Sequence, residues 1–158
     1  MAPMTGGCAC GAIRYECNPE NPVIADHCYC RDCQHSSGAA MASLLWIAKD
    51  ALKLIRGEAR YFTTVGDTGK KISRGFCATC GSPLFVTVEL GPEAIAISAG
   101  SLDDPNQYRP SVSVYMDRVT AWAPVDNSLP KFPRMAPAAA RCTATMWTAS
   151  ATPSCSPA

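Results

Sequence analysis

The sequence predicts a mainly β domain built from short antiparallel strands and pinned by metal-binding cysteines. Three observations lead there. Short runs rich in β-branched and aromatic residues recur between Gly, Pro, Asp and Asn breakers, the pattern of strands joined by turns. No segment carries the apolar period of a long amphipathic helix. Seven of the ten cysteines fall into three tight groups, Cys8-Ala9-Cys10, Cys28-Tyr29-Cys30-Arg31-Asp32-Cys33 and Cys77-Ala78-Thr79-Cys80, while Cys17, Cys142 and Cys155 stand alone. At 158 residues and 47% hydrophobic, the chain can build one core without disulfide staples.

Taken in order, Ala12–Glu16 follows Gly11 and carries Ile13 and Tyr15, and Ala40–Ala48 follows Gly38 and carries Trp46 and Ile47. Leu52–Ile55 ends before Gly57, and Tyr61–Val65, with two aromatics and two threonines, ends before Gly66-Asp67. Lys71–Phe76 runs up to the third cysteine group. In Leu84–Glu89 the polar residues alternate at the end, as a half-buried strand requires. Ala94–Ala99 and Val112–Val119 complete the strands, and between them Ser101–Asn106 reads as a turn, since Asp and Asn accept local backbone bonds and Pro fixes φ. Residues 1–132 form the predicted zinc-binding domain. From Pro133 the composition turns to Ala, Ser, Thr and Pro without apolar period, so 133–158 is expected to be a flexible tail containing Cys142 and Cys155.

Net charge is +1 and the fourteen Lys and Arg are spread along the chain, which argues against nucleic-acid binding. The chain shows neither a signal-like start nor an apolar run long enough to span a bilayer, so a cytoplasmic protein without a membrane partner is expected. In a reducing compartment such cysteine spacing points to metal or redox chemistry rather than to disulfides, and C-x-C pairs are too close to bridge without strain.

Cys77-Ala78-Thr79-Cys80-Gly81 resembles half of a zinc knuckle, a turn that aims two thiolates at one ion with glycine supplying left-handed backbone. The best complement is Cys8-Ala9-Cys10-Gly11. Together the pairs make a four-thiolate, structural zinc site that would contribute folding free energy. The remaining triad, Cys28, Cys30 and Cys33, offers three ligands. Either the fourth position is open, as in catalytic zinc sites, or His27 or His35 closes it. His35 also stands as a candidate for proton transfer on its closeness to Cys33, and equally as a solvated loop residue. If the position is open, zinc with three thiolates acidifies water poorly but suits capture of an incoming thiol, which implies making or breaking a carbon–sulfur bond.

A family resemblance rests on Gly6-Gly7-Cys8-x-Cys10-Gly11-x-Ile13-Arg14-Tyr15-Glu16, His27-Cys28-x-Cys30-x-x-Cys33, Ser37-Gly38, Arg74-x-Phe76-Cys77-x-x-Cys80-Gly81-Ser82-x-Leu84 and Ser101-Leu102-Asp103-Asp104-Pro105. This ordered set, from Gly6 to Phe132, resembles the glutathione-dependent formaldehyde-activating enzyme family, whose domain is shared with centromere protein V. The resemblance implies an Mss4-like zinc-bound β fold and two Zn²⁺ ions. It assigns Cys8, Cys10, Cys77 and Cys80 to a structural ion, and Cys28, Cys30 and Cys33 to a second whose fourth position is left for a ligand. The implied activity joins glutathione to formaldehyde as S-(hydroxymethyl)glutathione synthase, a carbon-sulfur lyase. Glutathione would need partners for its carboxylates. Ser37 and Gly38 offer backbone N–H groups there, or simply a turn into the next strand. Arg31, Lys70, Lys71 and Arg74 are cationic candidates, each expected to be a solvated surface charge. The alternative class is a non-catalytic zinc-stabilised binding or scaffold module. A third is iron–sulfur or thiol-redox use of the same cysteines.

Overall fold

The chain folds into two sheets, a small antiparallel one that holds the N-terminal strands and a larger, almost wholly antiparallel one. The structure is a computed structural model of the chain and describes residues 3–18 and 24–137. The strands are β1 (Met4–Gly7), β2 (Arg14–Cys17), β3 (Ile24–Cys28), β4 (Ala42–Ala48), β5 (Leu52–Arg56), β6 (Arg60–Val65), β7 (Lys71–Phe76), β8 (Pro83–Val88), β9 (Ala94–Ser98) and β10 (Val112–Val114), with one short helix, α1 (Arg31–Ser37). A small sheet has the order β1-β2-β5 and a large one the order β10-β3-β4-β9-β8-β7-β6. Every described pairing between these strands is antiparallel except β10 on β3. The mainly β expectation with short antiparallel strands holds.

Because side chains alternate along a strand, the register divides the large sheet into two faces. The row Gly75, Phe85, Ile97, Leu45 and Ala25 runs across five strands and points at the small sheet. There it meets Met4, Tyr15 and Cys17 in the main core, with Tyr15 edge-on to Phe85 at 5.4 Å between ring centres. The neighbouring row Phe62, Arg74, Val86, Ala96, Trp46 and Ile24 points the other way. On that face Ala96, Ile24 and Cys28 pack with Cys33 of α1 and with Tyr115 and Ala136.

Several elements differ from expectation, each for a local reason. β1, with sequence MTGG, has little β propensity, yet Gly6 is indispensable. A Cβ there would overlap the Tyr15 hydroxyl and the Ser101 carbonyl. β3 lacks the β-branched enrichment of a strand, and α1 is too short to show a helical period. The expected strand Val112–Val119 stops at Val114, because Tyr115 takes a left-handed φ of 58° that ends the ladder and starts a 3₁₀ turn, Met116–Arg118. Cys17 is a core residue with 2% exposure, and burial pushes its thiol up to about 11. At the other end, within residues 133–137, Arg134 bonds Asp67 at 3.1 Å and Asp117 at 2.9 Å and Ala136 is buried, while the other four residues are exposed. The rest of the expected tail, with Cys142 and Cys155, lies outside the described residues.

Gly6→Ala is expected to lower stability by about 1–3 kcal/mol, because neither the Ser101 backbone nor the bonded Tyr15 hydroxyl can retreat. Gly100→Ala, where a Cβ meets nothing within 4 Å, is the near-neutral control. Denaturant titration of both variants makes the comparison, and equal stabilities would contradict the packing account.

Candidate functional site

Cys8 and Cys10 lie in the turn between β1 and β2, and Cys77 and Cys80 in the turn between β7 and β8. The two turns are built alike. Cys8 N–H donates to Ile13 O at 3.1 Å and Gly11 N–H to Cys8 O at 2.9 Å; Cys77 N–H donates to Ser82 O at 3.0 Å and Gly81 N–H to Cys77 O at 2.8 Å. Gly11 and Gly81 take φ of 73° and 76°, the conformation that a side chain disfavours. Ser82 joins the turns, since its hydroxyl oxygen accepts the Ala9 N–H at 3.1 Å and lies 3.2 Å from the Cys80 sulfur. That hydroxyl, with the Ser82 backbone, draws the Cys80 thiol down to about 5.

The four sulfurs all lie within 4.8 Å of one another, with Cys8 to Cys10 at 3.5 Å and Cys10 to Cys77 at 3.8 Å. These separations are too long for a disulfide. A tetrahedral zinc with bonds of about 2.3 Å spaces its sulfurs about 3.8 Å apart, so the donor set fits that ion. The eight cysteines among the described residues are free thiols.

The second group assembles where β3 hands over to α1. Cys28 ends the strand, Cys30 caps the helix with its sulfur accepting the Cys33 N–H at 3.3 Å, and Cys33 sits in the first turn. Their sulfurs also lie within 4.8 Å of one another. Hydrogen bonds from Cys28 and then Cys33 pull the Cys30 thiol down to about 3, while the bond to Cys30 pushes Cys28 up. One thiolate is welcome here and further ones repel it. Such a set takes up three charges only around a cation.

Among the described residues, no fourth ligand-bearing side chain joins the triad. Alternation on β3 turns His27 to the opposite face from Cys28, where Nδ1 pairs with the Ser43 hydroxyl at 3.0 Å and the ring tilts over Tyr108. His35 lies about 200° round the helix from Cys33, exposed, with Nε2 2.9 Å from an Arg31 nitrogen. Ser37 and Gly38 are occupied in ending the helix. The Ser37 hydroxyl reaches Cys33 O at 2.8 Å, and Gly38, at φ 65°, donates its N–H to Gln34 O at 2.9 Å.

Two residues absent from the sequence reading belong to the site. Asp26 shares the face of Cys28 and is buried, with Trp46 Nε1 donating to its Oδ1 at 2.9 Å. Burial pushes its carboxyl up to about 7 against that hydrogen bond. The available signal was its place two residues before Cys28, legible only once β3 is known to be a strand. Gln34 is buried under α1; its amide nitrogen donates to Tyr29 O at 2.8 Å and Arg118 O at 3.1 Å. The triad, Asp26 and Trp46 line a cavity of about 600 Å³, within the range of small-molecule sites. Its rim is closed by Asp67, which accepts from the Tyr115 hydroxyl at 3.0 Å and from Arg134. A second cavity shares Cys33, Leu44, Arg74 and Val86 with the first. Among the described residues, no helix is long and apolar enough to cross a membrane.

Residues 3–118 match the family model described as glutathione-dependent formaldehyde-activating enzyme. A protein of Halomonas elongata, provisionally named for the same enzyme, is 24% identical over 129 residues, which cover 78% of this chain and 82% of that protein. The crystal structure of a Rhodobacter sphaeroides protein, 25% identical, covers 66% of this chain and 94% of its own with a TM-score of 0.49.

Gln34→Ala would leave the Tyr29 and Arg118 carbonyls without their donor and is expected to cost about 1–3 kcal/mol of stability. Faster amide exchange in α1 than in β4 would accompany the loss. Unchanged stability and exchange would contradict the anchoring role.

Proposed function

Because the chain belongs to the glutathione-dependent formaldehyde-activating enzyme family, we propose that it is a zinc-dependent carbon-sulfur lyase acting on a thiol adduct, with glutathione and formaldehyde or a related electrophile as its substrates. The observation that carries this reading is the triad itself: three converging sulfurs, no fourth ligand among the described residues, and a cavity of about 600 Å³ beside them. Soft thiolate sets of this kind suit zinc. Two ions per chain are proposed, a structural one on Cys8, Cys10, Cys77 and Cys80 and a second on Cys28, Cys30 and Cys33. Zinc at the second site would supply affinity for sulfur, favouring the thiolate form of a thiol at neutral pH.

The chain's own contributions are orientation and exclusion of water. β3 and α1 bring the three sulfurs to one point, and Gln34 ties that helix to the Met116–Arg118 turn. Trp46, Val114 and Tyr115 give the cavity apolar walls. In the synthetic direction the thiol sulfur forms a bond to the carbonyl carbon, the π pair of the C=O bond moves to oxygen, and the proton lost from sulfur ends on that oxygen. The reverse direction breaks the same carbon–sulfur bond, and neither direction oxidises or reduces anything. Free thiols throughout the described residues accord with work in the cytoplasm.

Elemental analysis of the purified protein should find two zinc ions per chain and no iron–sulfur colour. Cys33→Ala should retain the fold and one ion and lose turnover of the thiol adduct, by more than the 10–100-fold, roughly, that loss of a supporting residue costs. Cys80→Ala should lose the other ion and much of the stability. Wild-type turnover by Cys33→Ala would overturn the proposal.

A further inference from the structure

Arg74 occupies the middle of β7 on the face that carries the triad, between Phe62 of β6 and Val86 of β8 in the register. An arginine inside a sheet face is unusual unless something there uses its charge. The other basic side chains lining the cavity, on α1, in the β6–β7 turn, at the start of β7 and in the segment after β10, are exposed, whereas the Arg74 side chain is only 13% exposed. Its head lies beside α1, with Nη2 3.9 Å from Asp32, the residue before Cys33.

The guanidinium is poorly satisfied by the protein. Nη1 donates to the Thr64 hydroxyl at 3.1 Å. The Asp32 carboxylate, half exposed, is beyond hydrogen-bonding distance of Nη2. Nε is buried with no acceptor among the described residues. Buried donors without partners are rare in folded proteins and call for an explanation. The Nε and Nη2 hydrogens form one edge of the planar fork, the edge that matches a carboxylate with two parallel bonds. Arg74 lines both cavities beside Cys33. The larger cavity has six basic side chains against four acidic ones among its lining residues, which favours an anionic guest.

We infer that Arg74 is the specificity-determining residue of the site, its guanidinium binding a carboxylate of the thiol substrate while the sulfur of the same molecule lies at the cysteine triad. The inference rests on the thiol-adduct reading above and adds to it a reason for a thiol that carries carboxylates. A neutral thiol of similar size would leave the fork unfilled and bind less well. The geometry separates two roles that family membership leaves joined: the triad takes the sulfur, and Arg74 selects what the sulfur is attached to.

The test is calorimetric binding to the zinc-loaded full chain of three probes: glutathione, S-methylglutathione, which keeps the carboxylates without a free thiol, and glutathione diethyl ester, which keeps the thiol with the carboxylates blocked. Wild type should bind glutathione more tightly than the diester. Arg74→Gln should weaken glutathione and S-methylglutathione by about 10–100-fold and leave the diester unmoved, with zinc content unchanged. Arg74→Lys, which keeps the charge without the fork, should fall between, and it carries the test if Arg74→Gln does not fold. Equal losses for acid and ester, no loss for either acid, or no binding of either acid by wild type would overturn the inference. Failure of the thiol reading has a different signature: wild type would bind S-methylglutathione as tightly as glutathione while the Arg74 effect on both persists.

Discussion

Four sulfurs gathered within 4.8 Å are the constraint on which the molecule depends. Cys8 and Cys10 come from the turn between β1 and β2, Cys77 and Cys80 from the turn between β7 and β8, and besides the sulfurs the Ala9–Ser82 hydrogen bond and the shared core bring these two turns together. As bare thiolates they would repel. An ion shared among them, as proposed, would turn that repulsion into a cross-link whose binding free energy is folding free energy. Once the turns are joined, β1 and β2 must cover the β7–β8 end of the large sheet, and Tyr15 is brought over Phe85. Further along, Arg14 forks onto Asp103 and the Tyr15 hydroxyl meets Ser101 at 2.7 Å, which is why the segments around Gly6 and Ser101 must fit each other.

The same constraint decides which side chains meet at the triad. With one face of the large sheet given to the core, strand alternation delivers every second residue of β3, β4, β7 and β8 to the other. Gly75 and Phe85 go to the core, and Arg74 and Val86 to the site. On β3, His27 leaves the site while Asp26 and Cys28 enter it. A one-residue slip in either strand would exchange these sets, so the paired cysteine turns and the opposing core hold the triad-bearing face in register as well as holding the fold together.

Much of this was legible in the sequence because it was local. The strand Lys71–Phe76 matches its predicted bounds, and β4 to β6, β8 and β9 differ at their ends only by a residue or two. C-x-C and C-x-x-C spacings announce their ligands because a single turn suffices to aim two sulfurs. What the sequence concealed depends on tertiary contact. β1 is two glycines and little propensity, held by what crowds Gly6. β3 is a strand because β4 and β10 flank it, and without β3 neither the burial of Asp26 nor the turn of His27 to the core-side face can be read. Arg74 looked like any surface cation until Val86, Phe62 and α1 closed round it. The packing of Arg134 and Ala136 likewise arises from partners at Asp67, Asp117 and the triad-side core, far away in sequence.

The two cysteine groups thus lie on opposite faces of one sheet, one with four converging sulfurs and the other, to which the proposed chemistry is assigned, with three. The most direct measurement is zinc-edge X-ray absorption on the two-zinc protein with and without glutathione. A gain in mean sulfur coordination on adding glutathione, and none on adding S-methylglutathione, is the predicted result. An unchanged sulfur count in the presence of saturating glutathione would contradict the claim that the triad reserves a place for a substrate thiol.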